Sequence, residues 1–245
     1  VKQNIFDNPH FFAGYRGLRE TGSGLNEALE QPALRSLMPP LRGARVLDLG
    51  CGFGDLCRWI AECGAEQVTG VDISRRMLEI AARKTSDARI HYLRCAVEDY
   101  QHESPPVDLV VSSLMLHYVR DCPPVVSRVS SWLAPGGRFI FSVEHPICTA
   151  LLAGWCEDHE GNRLHWPVDR YREEGERRHH WFVDGVIKHH RTVETYVNTL
   201  LDAGLTVERL LEPEPTPQAL AGRPELADDR RRPPFLIIAA RRPTP

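Results

Sequence analysis

Val46-Leu47-Asp48-Leu49-Gly50-Cys51-Gly52-Phe53-Gly54-Asp55 reads as a buried strand that stops abruptly in glycines. Val46, Leu47 and Leu49 supply the apolar bulk of a strand covered on both faces. Glycines at every second position allow a tight turn with its backbone pressed against a ligand. Residues 53–63 follow with helical spacing, so the turn delivers the chain into a helix whose free N–H groups face the same point. The stretch predicts a small-molecule site at a strand-to-helix turn.

Glycine spacing narrows the choice of ligand. A dinucleotide turn reads G-x-G-x-x-G, whereas Asp55 stands here in place of its third glycine. A carboxylate there opposes a pyrophosphate but suits a ligand carrying ammonium and sulfonium charges. Asp48-Leu49-Gly50-Cys51-Gly52-Phe53-Gly54 resembles the first motif of class I S-adenosylmethionine-dependent methyltransferases. The resemblance implies S-adenosylmethionine as cofactor and S-adenosylhomocysteine as product. It sets the methionyl half against Asp48, Gly50, Cys51 and Gly52.

Further signals fall in order along the chain. Residues 67–72 form a second strand ending in Asp72, about twenty residues beyond the glycines, where an acid accepts hydrogen bonds from both ribose hydroxyls. Ile73 offers an apolar face to adenine, Ser74 is an N-cap, and Met77, Ile80 and Ala81 mark the buried side of the next helix. Residues 89–94 form a third strand. Members of the resembled family carry an aspartate just past it for the adenine amino group. Ala96 occupies that place here, leaving Val97 to supply a backbone contact, with Glu98 facing solvent or capping a turn.

A fourth strand, residues 107–112, leads into a segment that resembles the family's floor beneath the cofactor. The backbone carbonyls of Ser112 and Ser113 would bind the methionyl ammonium, with His117 near the pocket mouth. Residues 121–133 are helical, and the turn Leu133-Ala134-Pro135-Gly136-Gly137, a family feature, opens a fifth strand. Strand-helix units in this order, with acids and glycines at the strand ends, imply a doubly wound sheet with its pocket at that edge. Residues 205–211 and 235–240 read as two late strands joined by a flexible proline-rich loop. The expected fold is α/β: a Rossmann-like, doubly wound, seven-stranded sheet, mostly parallel, with a C-terminal antiparallel hairpin and an inserted cap.

One domain over residues 1–245 is expected, with residues 1–40 as an N-terminal lid and helix and 145–190 as the cap over the acceptor pocket. In the lid, Tyr15 and Arg19 resemble a pairing that holds the methionyl carboxylate, against a plain helix packed on the sheet. In the cap, Trp155, Trp166, Tyr171, Trp181 and Phe182 are too many aromatics for a linker, while the charges at 172–178 read as a solvated face. His190 and Arg191 are open to a place in the acceptor pocket. The pairs His179-His180 and His189-His190 complete no familiar ligand set, so no metal is expected. If the acceptor loses a proton, Glu144, His145 and His117 are the candidate catalytic residues, since they lie at strand ends bordering the pocket.

Composition sets the outer bounds. The 245 residues, 42% hydrophobic and 26% charged, suit one large globular domain. A net charge of −3 gives no electrostatic footprint for nucleic acid. Seven cysteines without a C-x-x-C pair, and no long apolar run, predict reduced thiols, a cytoplasmic location and no membrane insertion. The partners expected are a small-molecule methyl acceptor and, at most, a second copy of the chain as a homodimer. Two other readings stay open: a non-catalytic S-adenosylmethionine-binding regulator, and an NAD-dependent oxidoreductase, against which Asp55 speaks.

Overall fold

In the computed structural model, which describes residues 2–22, 24–103 and 105–244, the glycine turn lies at the centre of the sheet. The main strands are β1 (Arg45–Leu49), β2 (Gln67–Asp72), β3 (Ile90–Arg94), β4 (Val107–Ser112) and β5 (Leu133–Glu144). Two hairpins follow, β6 (Cys156–Glu157) with β7 (Arg163–His165) and β8 (Gly175–Trp181) with β9 (Val183–His190), and then β10 (Thr206–Leu211) and β11 (Phe235–Arg241). The large sheet has seven strands in the order β10-β11-β5-β4-β1-β2-β3. Pairing is parallel from β3 to β5, while β11 runs antiparallel to both β5 and β10. The order reverses between β1 and β4, which opens a crevice at their C-terminal ends.

Helices cover both faces: α1 (Pro9–Thr21), α2 (Gln31–Ser36), α3 (Asp55–Glu62), α4 (Arg75–Lys84), α5 (Cys122–Trp132), α6 (Pro146–Thr149), α7 (Val193–Asp202) and α8 (Pro217–Gly222). Leu47, Leu49 and Val110 pack with Val125, Val129 and Leu200 on one side, and Val46 and Leu109 with Cys57 and Ile60 on the other. Burial on both faces explains the near-continuous apolar runs of the central strands. None of the helices described is long and apolar enough to cross a membrane.

Three segments need comment. Of the two readings held open for the leading segment, its backbone is a regular helix, α1, because Asn8 Oδ1 accepts from the N–H groups of His10 and Phe11 and Pro9 takes the first helical position. The helix expected within residues 1–40 opens with a wide π-type turn, Asn26–Glu30, which sets Glu30 wholly inside. The 212–234 span, expected to be a flexible loop, holds α8 and a short 3-10 helix, Pro224–Arg230. Leu226 of that span is buried against Leu29 and Phe235, which gives it a core of its own.

Candidate active site

Local backbone geometry shapes the glycine-turn end. Gly50, Gly52 and Gly54 have φ of 79°, 53° and 72°, a region that side chains disfavour. A Cβ on Gly50 would meet Met115 Cγ at 2.5 Å, and one on Gly54 would meet the Tyr92 hydroxyl at 2.1 Å. The N–H groups of Gly50 and Cys51 both donate to Val71 O, at 2.7 and 3.1 Å, binding the turn to β2. Gly52 N–H donates to Asp72 Oδ2 at 2.9 Å and Ser74 N–H to Asp72 Oδ1 at 2.8 Å. Asp72 is thus held rigidly at the lip of β2, with carboxylate lone pairs left over for a ligand's hydroxyls.

Asp48 is 1% exposed. Its Oδ2 accepts from Cys57 Sγ at 3.2 Å, while Oδ1 has no partner among the described residues. Burial pushes its pKa up to about 7. A buried, half-satisfied carboxyl beside the cavity is a place that a cationic group would complete. Arg19, on α1, bridges Glu27 at 3.0 Å and Asp55 at 3.3 Å. Tyr15, one turn earlier, packs on Phe53 of the glycine turn at 5.9 Å, and burial pushes its pKa to about 12.

The opposite end lies under the β8–β9 hairpin. Lys188 of β9 forms a close ion pair with Glu144 of β5, and its side chain is 5% exposed. Burial works to raise the pKa of Glu144, but the Lys188 ammonium, by its charge and its hydrogen bond, outweighs it and holds the carboxyl below its ordinary value. His117 Nδ1 accepts from Glu144 N–H at 3.4 Å, so its proton sits on Nε2. Burial brings the His117 pKa down to about 3, keeping the ring neutral. His179 Nε2 is buried and unpartnered among the described residues.

Aromatic rings join the two ends. Phe6 and Phe11 touch Tyr15, Tyr118 and Trp181, with centroids 5.0 to 6.3 Å apart. Phe182, at the hairpin tip with φ of 59°, lies over α1 where a Cβ on Gly14 would meet its ring at 2.5 Å. Gly14 is there for space, not for backbone freedom.

One cavity of about 1710 Å³ runs from the glycine turn to the hairpin. It is lined by Tyr15, Arg19, Asp48, Gly50, Cys51, Gly52, Asp72, Ile73, Met77, Val97, Ser113, His117 and Glu144, all expected from sequence. Ser112 is not among the lining residues; its hydroxyl donates to Leu49 O at 2.9 Å, so only its backbone carbonyl, the group expected to act, is left for a ligand. His145 does not reach it either. Its Nδ1 caps α6 by accepting from Ile147 N–H at 3.2 Å, and Nε2 bonds Glu212 Oε1 at 2.8 Å on the other side. The Pro146 helix start uses His145 as a cap, which corrects its expected catalytic place.

His190 and Arg191 are structural as well. His190 bonds Thr149 Oγ1 and Tyr171 O, both at 2.8 Å, and Arg191 donates to Val119 O and Arg120 O at 2.6 and 2.9 Å. Lys188, Tyr118 and Arg232, which carried no expectation from sequence, also line the cavity, as does His179, weighed there only as a metal ligand. The one available signal for Lys188 was a charge in an otherwise apolar stretch, Val186-Ile187-Lys188.

Comparison with known proteins agrees with this geometry. Residues 46–137 match the family model described as a methyltransferase domain. An S-adenosylmethionine-dependent methyltransferase of Mesorhizobium loti has the same architecture, with a TM-score of 0.83 and 46% identity over 89% of this chain and 100% of that one. An uncharacterized protein of Haemophilus influenzae is 35% identical over 98% of each chain. A ubiquinone biosynthesis O-methyltransferase of Xylella fastidiosa is 36% identical over 46% of this chain, which spans 48% of that relative. Strand order, the glycine turn with Asp72, and close relatives along the whole chain place this protein among the class I methyltransferases, enzymes whose methyl donor is S-adenosylmethionine.

Proposed function

We propose that the enzyme methylates a small-molecule acceptor held between the C-terminal edge of the sheet and the β8–β9 hairpin, by in-line displacement. The observation that carries this reading is the single cavity joining the glycine turn to the Glu144–Lys188 pair beneath the hairpin. S-adenosylmethionine, when bound, supplies a methyl already activated by the sulfonium charge. Asp72 would hold the ribose hydroxyls, Asp48 would face the cationic head with its unpartnered oxygen, and Arg19 with Tyr15 would meet the carboxylate. Ile73, Met77 and Val97 would wall the adenine, with Ala96 giving no side-chain acceptor.

At the acceptor end, residues 145–190 act as the cap. Positioning supplies most of the rate, because the methyl needs no further activation and the acceptor needs a fixed line of approach. Glu144 is ionised and is the group that takes a proton when the nucleophile must lose one. His117, neutral with its proton on Nε2, serves as a hydrogen-bond donor that orients the acceptor.

Isothermal titration with S-adenosylhomocysteine, paired with transfer of labelled methyl to fractionated small metabolites, tests the proposal. Wild-type protein should bind the product and label a low-mass fraction. Glu144→Gln should keep the affinity and lower turnover by ~10²-fold. Label appearing only in protein or nucleic acid would overturn the small-molecule reading.

A further inference from the structure

Arg232 lines the cavity three residues before Phe235, whose strand position pairs with Glu144. Its guanidinium lies 4.2 Å from the ring centre of Trp166 and 5.8 Å from that of Trp155. Trp166 is itself fixed, donating from Nε1 to Ile147 O at 3.1 Å. The two indoles therefore set the plane of a side chain that is only 12% exposed.

That plane is poorly filled. Nη1 donates to Cys148 Sγ at 3.4 Å, a weak acceptor, and Nη2 stands 3.5 Å from Asp229 Oδ1. Nε is buried with no partner among the described residues. An arginine fork is shaped to give parallel hydrogen bonds to a planar carboxylate, and a buried donor left empty costs free energy. Beneath the hairpin, Lys188 is matched by Glu144 and Arg178 by Glu176, while Arg19, Arg83 and Lys84 line the cavity at its glycine-turn end, on α1 and α4. Arg35 also lines the cavity with an unpartnered Nε, but at the α2 edge, where its guanidinium stacks over Trp59 of α3.

We propose that Arg232 recognises a carboxylate on the methyl acceptor, so that the substrate class is a small arylcarboxylic or apolar carboxylic acid. This rests on the methyl-transfer reading of the cavity. Trp166, Leu152 and Phe235, which line the same region, give the acid's body an apolar wall. A carboxylate suits the site better than a phosphate, because Asp229 is already beside the guanidinium and would repel a dianion more strongly.

The test uses full-length enzyme saturated with S-adenosylhomocysteine and titrated with benzoate, phenylacetate and 3-phenylpropionate against their carboxamides, read by calorimetry and tryptophan emission. At least one acid should bind roughly tenfold tighter than its amide. Arg232→Gln should erase that preference while product affinity is retained. Asp229→Asn, which removes the competing carboxylate, should tighten acid binding severalfold, a change opposite to what structural damage gives. The proposal is overturned if no acid is preferred, if Arg232→Gln keeps the preference, or if Asp229→Asn weakens acid binding. Failure of wild-type protein to bind S-adenosylhomocysteine would instead bring down the methyl-transfer reading on which it rests.

Discussion

The two ends of the cavity are made of different materials. Around the glycine turn the work is done by backbone: three positive-φ glycines, N–H groups on Asp72 and Val71 O, and one strand-end acid. Under the hairpin it is done by side chains from separate segments, with Glu144 from β5, His117 from the segment after β4 and Lys188 from β9. A backbone site is fixed by local chain geometry and tolerates change outside a few positions. A side-chain site depends on pairing across the fold, so a single substitution leaves its partner stranded.

Lys188→Met should give the largest effect, because it leaves the Glu144 carboxylate, 24% exposed, without its cation. A loss of ~3 kcal/mol is expected in urea denaturation, with much of it restored in the Glu144→Gln/Lys188→Met double variant. Cofactor affinity should change far less than stability. A parallel fall in S-adenosylhomocysteine affinity would break the distinction between the two ends.

Gly50→Ala comes next. Forcing a side chain to φ of 79° costs ~1–2 kcal/mol, and the added methyl must also displace Met115. Gly52→Ala, at φ of 53° with nothing described within 4 Å of its Cβ, should lose only the backbone strain. Thermal unfolding of the two variants measures the gap, and equal losses would mean that close approach to Met115 is unimportant.

Asp48→Asn is the sharpest probe of the glycine-turn end, read through pH dependence rather than through stability at one pH. Asp48 has a folded pKa raised to about 7 from an ordinary 3.8, so its contribution to ligand-free stability is present below the ordinary value and lost as pH rises through about 7. The variant should lack that decline in a series of melting temperatures. Since a cationic ligand favours the ionised carboxyl, wild-type affinity for S-adenosylmethionine should rise between about pH 6 and about pH 8, and the asparagine form should show a flat profile.

Legibility in the sequence divides along the same line. β1, β2 and β4 were readable because strands buried on both faces are written as apolar runs, and the turn because glycine is demanded where φ is positive. The hairpin was not. Gly175–Trp181 alternates inward and outward residues, yet Glu176, Arg177 and Arg178 read as a solvated charge run. Nothing local to Lys188 announces an acid 44 residues away. His145 misled for a related reason: its strand-end position was right, but the proline after it started a helix that claimed the ring as a cap. Glu30 escaped notice because a carboxylate in an amphipathic pattern reads as exposed, whereas the π-type turn sends it inward to accept from Ser113 and Ser142.

The ring cluster of Phe6, Phe11, Tyr15, Tyr118 and Trp181 has a thermodynamic consequence. Tyr15 rests on the glycine turn while its neighbour Trp181 lies under the cation of Lys188, at 5.2 Å. A ligand that ordered this seam at one end would raise affinity at the other, and reciprocity would require the same factor in both directions.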